Sequence, residues 1–134
     1  MPRKSSIDVR WGDTDAGGLI YYPQIFSFFV KAFNAYFEPI SNHLMEEMRN
    51  EGIKIPTVTA DCDFYTPLKA GDTAVVEAEV VEMGETSLRF EFEVTRDGDD
   101  VADASVKHVF TDNDFNSVRI PDEVREFVAE TEDL

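Results

Sequence analysis

A group of acidic and glycine residues lies just ahead of the most apolar segment of the chain. Within residues 10–29, which read RWGDTDAGGLIYYPQIFSFF, Asp13 and Asp15 flank a threonine. Gly17 and Gly18 follow, and glycines let a ligand approach the backbone closely. A carboxylate can act as a nucleophile or general base, and the unpaired N–H groups at a helix start can stabilise a negatively charged oxygen. The segment therefore contains two parts of a hydrolytic site, although the same residues would also suit an ordinary turn.

The helix that would hold this site in place is predicted from about residue 23 to residue 38. Pro23 stands where proline is favoured, at the first position of a helix. Polar residues recur every three or four positions and make one narrow stripe, while the other positions are apolar or small. Such a helix is expected to be buried on most sides. The polar stripe consists of Gln24, Ser27, Lys31, Asn34 and Glu38.

The rest of the chain alternates apolar and polar residues and predicts a sheet. Four strands follow residue 57, and the short turns between them indicate antiparallel pairing. An extended run at residues 6–11 supplies a fifth strand, and Pro121 opens a short closing helix or turn. The fold class is therefore α+β, in a single domain of residues 1–134. One helix leaves part of such a sheet uncovered, so association of two copies is expected.

Composition excludes several classes of partner. The chain has 134 residues and a net charge of −16, which disfavours nucleic acid because phosphates need a basic surface. No stretch approaches the roughly 20 apolar residues of a membrane span. A single cysteine predicts no internal disulfide and a cytoplasmic location. The acidic residues are dispersed, which suits either an ordinary acidic protein or, as the charge density favours, adaptation to a salty cytoplasm.

The cysteine and the two histidines do not have the spacing of a metal site, and none is predicted. Cys62 alternates with apolar residues on one strand, so a buried structural thiol is expected. His108 shares the parity of core positions on the last strand and is predicted to be a core or interface histidine. His43 is expected at the surface of a short second helix.

The opening of the chain resembles a known family. VRWGDTDAGGLIYYPQIFSFFVKAFNAYFE is similar to the first segment of the 4-hydroxybenzoyl-CoA thioesterase-like hotdog-fold family, which reads approximately R-x-x-D-x-D-x-x-G-x-v-y-(Y/H)-x-x-(Y/F). CDFYTPLKAGDTAVVEAEV, SLRFEFEV and RIPDEVREF resemble later segments of that family, so nearly the whole chain is covered. The resemblance implies a hotdog fold, in which a five-stranded antiparallel sheet wraps around a long buried helix. It also implies a homodimer or a dimer of dimers.

The resemblance assigns roles to the first motif. Asp15 would be the catalytic carboxylate, as nucleophile or as general base. Gly18 would lie beside the substrate carbonyl, and the backbone N–H of Tyr22 would polarise that carbonyl. Asp13 corresponds to the first, more structural acid of the motif.

Further residues are candidates for substrate binding. Tyr21 and Phe26 could line an acyl pocket, although aromatic residues of such a helix are most often core. Arg89, flanked by Ser87, is the first candidate for a contact with coenzyme A, and Lys69 is the second. The alternative for Arg89 and for Lys69 is an ordinary solvated surface position.

One position departs from the family pattern. Relatives often carry an acid about two turns into the long helix, where this chain has Val30. The pocket should therefore be more apolar and should accept an aliphatic or aromatic acyl group without a charged tail.

The implied activity is hydrolysis of an acyl-CoA thioester without a cofactor, coenzyme A being part of the substrate. A thioesterase for acyl carrier protein is one alternative, which the acidic charge disfavours. Another is a non-catalytic acyl-CoA-binding or assembly module. A hotdog dehydratase usually relies on a histidine beside the helix, and residues 1–42 contain no histidine.

Overall fold

A computed structural model describes residues 3–132. One antiparallel sheet has the strand order β1-β3-β4-β5-β2, and three helices and two single 3-10 turns complete the fold. This arrangement confirms the predicted α+β class with five antiparallel strands. The strands are β1 Arg3–Asp8, β2 Thr57–Phe64, β3 Thr73–Met83, β4 Ser87–Arg96 and β5 Asp99–Val109. The helices are α1 Gln24–Tyr36, α2 Ser41–Glu51 and α3 Asp122–Thr131, and the 3-10 turns are Trp11–Asp13 and Glu38–Ile40.

The first strand lies earlier than the sequence predicted. It covers Arg3–Asp8 rather than residues 6–11, and it pairs with β3 so that Ser5 lies opposite Val76. The chain then leaves the sheet because a 3-10 turn forms at Trp11–Asp13. The Asp13 carboxylate closes that turn by accepting a hydrogen bond from the backbone N–H of Arg10 at 2.9 Å.

Helix α1 packs across the inner face of the sheet. The helix spans Gln24–Tyr36, which lies within the predicted range. Pro39 then prevents its continuation because proline has no N–H to donate. Phe29 stacks on Phe92 of β4 with ring centroids 5.0 Å apart. Tyr36 meets Phe90 edge-on at 5.2 Å. The buried face consists of Ile25, Phe28, Phe29, Ala32 and Tyr36.

Helix α1 does not cover strand β2, which forms one edge of the sheet. Val58 and Phe64, two of the apolar residues with which Cys62 alternates, are 52% and 47% exposed. Cys62 is half-buried rather than buried, and partial burial raises the pKa of its thiol to about 11. The uncovered apolar surface predicted from the imbalance of one helix and one sheet is therefore located at this edge.

The outer face of the sheet carries acidic residues in register. Glu77, Glu93, Asp103 and Asp63 lie opposite one another across four neighbouring strands. Like charges that face each other across strands destabilise a sheet. The dispersed acids of the sequence therefore meet on one surface of the fold.

Candidate active site

The loop between β1 and α1 folds back on itself. The Asp15 backbone N–H donates to the Leu19 carbonyl at 2.7 Å, and the Tyr21 N–H donates to the Asp13 carbonyl at 2.9 Å. The Ile20 N–H donates to the carbonyl of Leu68 at 2.8 Å and so ties the loop to the turn before β3. The glycine-rich segment is therefore a braced turn, held on both sides by backbone hydrogen bonds.

The two oxygens of the Asp15 carboxylate have different environments. Oδ1 accepts hydrogen bonds from the backbone N–H groups of Gly17 at 2.8 Å and Leu19 at 3.3 Å. Oδ2 has no hydrogen-bond partner among residues 3–132, and the side chain is exposed. One oxygen thus fixes the orientation of the carboxylate and the other is available to a ligand. Asp13, by contrast, uses its carboxylate to close the preceding turn.

Gly18 has a backbone conformation that favours glycine. Its φ is +80°, in the left-handed region, and its N–H donates to the Asp15 carbonyl at 3.0 Å. An added Cβ would meet no atom within 4 Å, so the space beside this residue is open. The backbone can therefore be approached closely from outside at this point.

The start of α1 leaves one backbone donor free. The N–H groups of Gln24 and Phe26 donate to the carbonyls of Tyr21 and Pro23 at 2.7 and 3.1 Å. The N–H of Tyr22 has no acceptor within the described part of the chain. Tyr22 follows Asp15 by seven residues, at the base of the same braced turn. The side chains of Tyr21 and Tyr22 are exposed, with ring centroids 5.8 Å apart.

An apolar pocket of about 420 Å³ runs along α1 toward the β2 edge of the sheet. It starts in the first turn of the helix at Phe26, one of the predicted substrate-binding residues. Val30 lies in the same wall, so the departure from the family pattern falls inside the pocket. The remaining lining residues are Phe29, Phe33, Asn34, Ile55, Thr57, Ala60, Phe92, Val106 and His108.

The candidate contacts for coenzyme A lie in two places. Lys69 is beside the loop, because its backbone forms a β-bridge with Leu19. Arg89 lies on the outer face of the sheet, where it forms an ion pair with Glu82 at 3.0 Å and donates to Ser105 at 3.1 Å. Arg96 lies seven residues after Arg89 on β4 and donates to the Pro67 carbonyl, which is near the loop. From the rise per residue of a strand, Arg89 is about 24 Å from Arg96.

Ser87 is further still along the same strand, at its first residue. Within one chain the fold therefore brings Asp15, Gly18, Tyr22 and Lys69 to one region and keeps Ser87 and Arg89 apart from it. A role for these last two in binding coenzyme A stays a prediction.

Two groups of polar residues were not found from the sequence. Thr57 and His108 meet in the pocket wall; the parity of His108 indicated burial but not its neighbour. His43 and Glu47 of α2 meet Glu123 of α3, with potential ligand atoms within 4.8 Å of one another. The exposed His43 lies 3.1 Å from the Glu123 carboxylate, and this contact raises the pKa of His43. A hydrogen bond with Glu123 raises the pKa of the Glu47 carboxyl as well.

Comparison with known proteins identifies the family. Residues 9–128 match the sequence model of the thioesterase-like superfamily, and the chain belongs to that family. A 1,4-dihydroxy-2-naphthoyl-CoA hydrolase from Nostoc punctiforme is 30% identical over 117 residues, which cover 87% of this chain and 79% of the relative. The relative is thus named a thioester hydrolase, the enzyme class that the sequence analysis predicted.

Solved structures confirm the hotdog fold. A 1,4-dihydroxy-2-naphthoyl-CoA thioesterase from Synechocystis superposes with a TM-score of 0.87 at 19% identity, covering 97% of both chains. The gentisyl-coenzyme A thioesterase BH1999 superposes with a TM-score of 0.80 at 25% identity, covering 92% of this chain and 99% of the other.

None of the helices between residues 3 and 132 is long and apolar enough to cross a membrane.

Proposed function

We propose that this protein is an acyl-CoA thioesterase that uses Asp15 as nucleophile or general base. The observation that carries the proposal is the paired arrangement of a carboxylate with one free oxygen and a free helix-start donor. Asp15 Oδ2 and the Tyr22 N–H both lack partners in residues 3–132, and both belong to the braced turn. The pocket that starts at Phe26 supplies a place for the acyl group next to that turn.

The chemistry needs few groups. The Tyr22 N–H donates to the thioester carbonyl oxygen and stabilises the negative charge that forms on it. In one route Asp15 attacks the carbonyl carbon, the carbon–sulfur bond breaks, the thiolate of coenzyme A leaves, and water hydrolyses the resulting anhydride. In the other route Asp15 takes a proton from water as the water attacks the same carbon, and the thiolate then departs. Neither route needs a metal ion or a further cofactor.

The acyl group is proposed to be aliphatic or aromatic and to lack a charged tail. The pocket volume of about 420 Å³ is in the usual range for small-molecule sites, and most of its lining is apolar. The related hydrolase acts, by its name, on an aromatic naphthoyl group. An aromatic acyl-CoA is therefore the substrate class that we favour.

A homodimer is the proposed working unit, in the cytoplasm. Val30 on α1 and Val58, Phe64 and Tyr65 around β2 are each at least 47% exposed in one chain. A second copy packed against this edge would cover these side chains and enclose the pocket. Sedimentation should give a stable dimer or tetramer, and a stable monomer at micromolar concentration would contradict the proposal.

The direct test is release of free coenzyme A from short, long and aromatic acyl-CoAs by the protein and by Asp15→Asn. The amide retains an oxygen that can accept from Gly17 and Leu19 but has no negative charge. We expect hydrolysis to fall by at least about 100-fold, the usual contribution of such a group. Asp114→Asn, which removes the same charge from an exposed loop residue away from β2, should hydrolyse at the original rate.

The outcomes separate the alternatives. Hydrolysis that survives Asp15→Asn with equal thermal stability would exclude the proposed mechanism. Binding of acyl-CoAs without hydrolysis of any of them would favour the non-catalytic module. Hydrolysis of acyl carrier protein thioesters but not of acyl-CoAs would indicate the carrier-protein alternative.

A further inference from the structure

The apolar pocket has a polar end. Phe26 begins it in the first turn of α1, and Phe33 lies seven residues later, about 10 Å along the helix axis. His108 is at the level of Phe33, since the two ring centroids are 4.6 Å apart. The polar lining residues are Asn34, Thr57 and His108. An acyl group that enters from the braced turn would therefore meet apolar side chains first and polar ones last.

His108 is held rigidly in the pocket wall. It is only 9% exposed, and its ring meets Phe90 nearly perpendicularly at 5.9 Å. Its Nδ1 lies 3.2 Å from the hydroxyl oxygen of Thr57. Burial lowers the pKa of His108 to about 4, so the ring is neutral near pH 7. A neutral imidazole has one nitrogen that donates and one that accepts.

The second nitrogen of His108 is unused. Nε2 has no hydrogen-bond partner in the described chain, and it is not one of the fully buried polar atoms there, of which only Arg3 Nε lacks a partner. Because His108 lines the pocket, a molecule bound there is positioned to supply the missing partner. A hydroxyl on the acyl group can form this hydrogen bond with either tautomer of the ring, because a hydroxyl both donates and accepts. A keto oxygen can do so when Nε2 carries the proton.

We propose that His108, oriented by Thr57, selects acyl groups that carry a neutral hydroxyl or keto oxygen at the end remote from the thioester. This inference rests on the proposed function and names the substrate class more narrowly. The body of the acyl group is apolar and about as long as two fused rings. A carboxylate tail is excluded because no lysine or arginine is among the described lining residues, and burying an unpaired charge is costly.

The test uses three matched substrates: naphthoyl-CoA, the same compound with a hydroxyl on the ring remote from the thioester, and the isomer with the hydroxyl beside the thioester. We expect the remote hydroxyl to raise kcat/KM about five- to tenfold over the unsubstituted compound, the effect of one hydrogen bond. The adjacent hydroxyl should not give this gain, since it cannot reach His108. Remote positions on both sides of the second ring should be included.

Variants assign the effect to the two residues. His108→Leu should reduce the preference to about onefold, while His108→Gln, whose amide can still hydrogen-bond, should keep part of it. Thr57→Val should weaken the preference by releasing the ring, and Thr57→Ser should restore it, which identifies Thr57 as a positioning residue. Val106→Ala, which changes only apolar volume in the same wall, should alter all three substrates alike.

Equal kcat/KM for the three substrates would overturn the inference, and so would a remote-hydroxyl preference that persists in His108→Leu. If His108→Leu does not fold, an undiminished preference in both His108→Gln and Thr57→Val would overturn it. Calorimetric binding of the substrates to Asp15→Asn gives the same preference without hydrolysis. If the protein prefers the remote hydroxyl in binding but the unmodified protein hydrolyses none of the substrates, the proposed function is contradicted and the selection by His108 is supported. If the protein hydrolyses all three substrates equally well, the proposed function is supported and the selection by His108 is contradicted.

Discussion

The Asp15 carboxylate oxygen Oδ1 accepts a hydrogen bond from the Gly17 backbone N–H at 2.8 Å. A Cβ added at Gly17 would lie 3.3 Å from that same oxygen. Gly17 is thus one of the two residues whose N–H groups orient the carboxylate, and a larger side chain at Gly17 would displace it. This relationship makes the two neighbouring glycines separable by experiment.

Gly17→Ala should lower activity more than stability. The new methyl group would displace the Asp15 side chain by a few tenths of an ångström, and because that side chain is exposed the shift would disturb no packed residue. We expect kcat to fall several-fold and the free energy of unfolding to change by less than about 0.5 kcal/mol, as for an ordinary surface change. Steady-state kinetics and urea unfolding check this. Unchanged kcat would show that this contact does not orient the reacting group.

Gly18→Ala should instead reduce stability. The residue has a φ of +80°, where a side chain other than hydrogen costs about 1–2 kcal/mol, although the space around it is open. Urea unfolding should show a loss of this size relative to the parent protein. Gly12→Ala is the matched control, because an added Cβ there also meets nothing within 4 Å and its φ is not positive. Equal stabilities of the two variants would contradict the assignment of strain.

Val30→Asp should weaken hydrolysis of apolar substrates. Val30 lies in the pocket wall, and an apolar acyl group packed there would take water away from the new carboxylate. We expect kcat/KM for unsubstituted naphthoyl-CoA to fall at least about tenfold. Val30→Asn, which is polar but uncharged, should lose less. Full activity of the aspartate variant on this substrate would mean that the acyl group does not reach this wall.

His108 should make stability depend on pH. Burial lowers its pKa from 6.5 to about 4, so the unfolded chain binds a proton at a pH where the folded chain does not. Stability therefore falls as pH decreases from about 6.5 to about 4, by at most about 1.4 kcal/mol per pH unit. Urea unfolding at pH 7, 6 and 5 should show a steeper fall for the parent than for His108→Gln. Parallel curves would contradict this prediction.

Salt should stabilise the protein through the acidic face. Glu93 lies between Glu77 and Asp103 in the register of the sheet. Glu93→Gln should therefore raise the free energy of unfolding at low salt by about 0.2–1 kcal/mol. The gain should shrink in molar salt, which screens exposed charges. Glu38→Gln, an exposed acid outside the sheet, is the control; an equal gain from it would argue against cross-strand repulsion.

Local patterns in the sequence determined much of this fold. The polar stripe of α1, the period-two strands and the position of the loop all depend on residues within a few positions of one another. For the same reason Asp15, Gly18 and Tyr22 could be singled out together, because they lie in one short segment. The family resemblance supplied their roles, and the roles stay proposals.

Only the tertiary structure decided what surrounds that segment. The pocket joins Phe26 of α1, Thr57 of β2 and His108 of β5, and the order of the strands brings these distant residues together. The strand order also explains why β2 is exposed, because it places β2 at an edge of the sheet. In sequence, the alternating apolar residues of such an edge strand look the same as those of a core strand. Strand order and register depend on long-range packing, and a local pattern does not encode which strand lies at the edge.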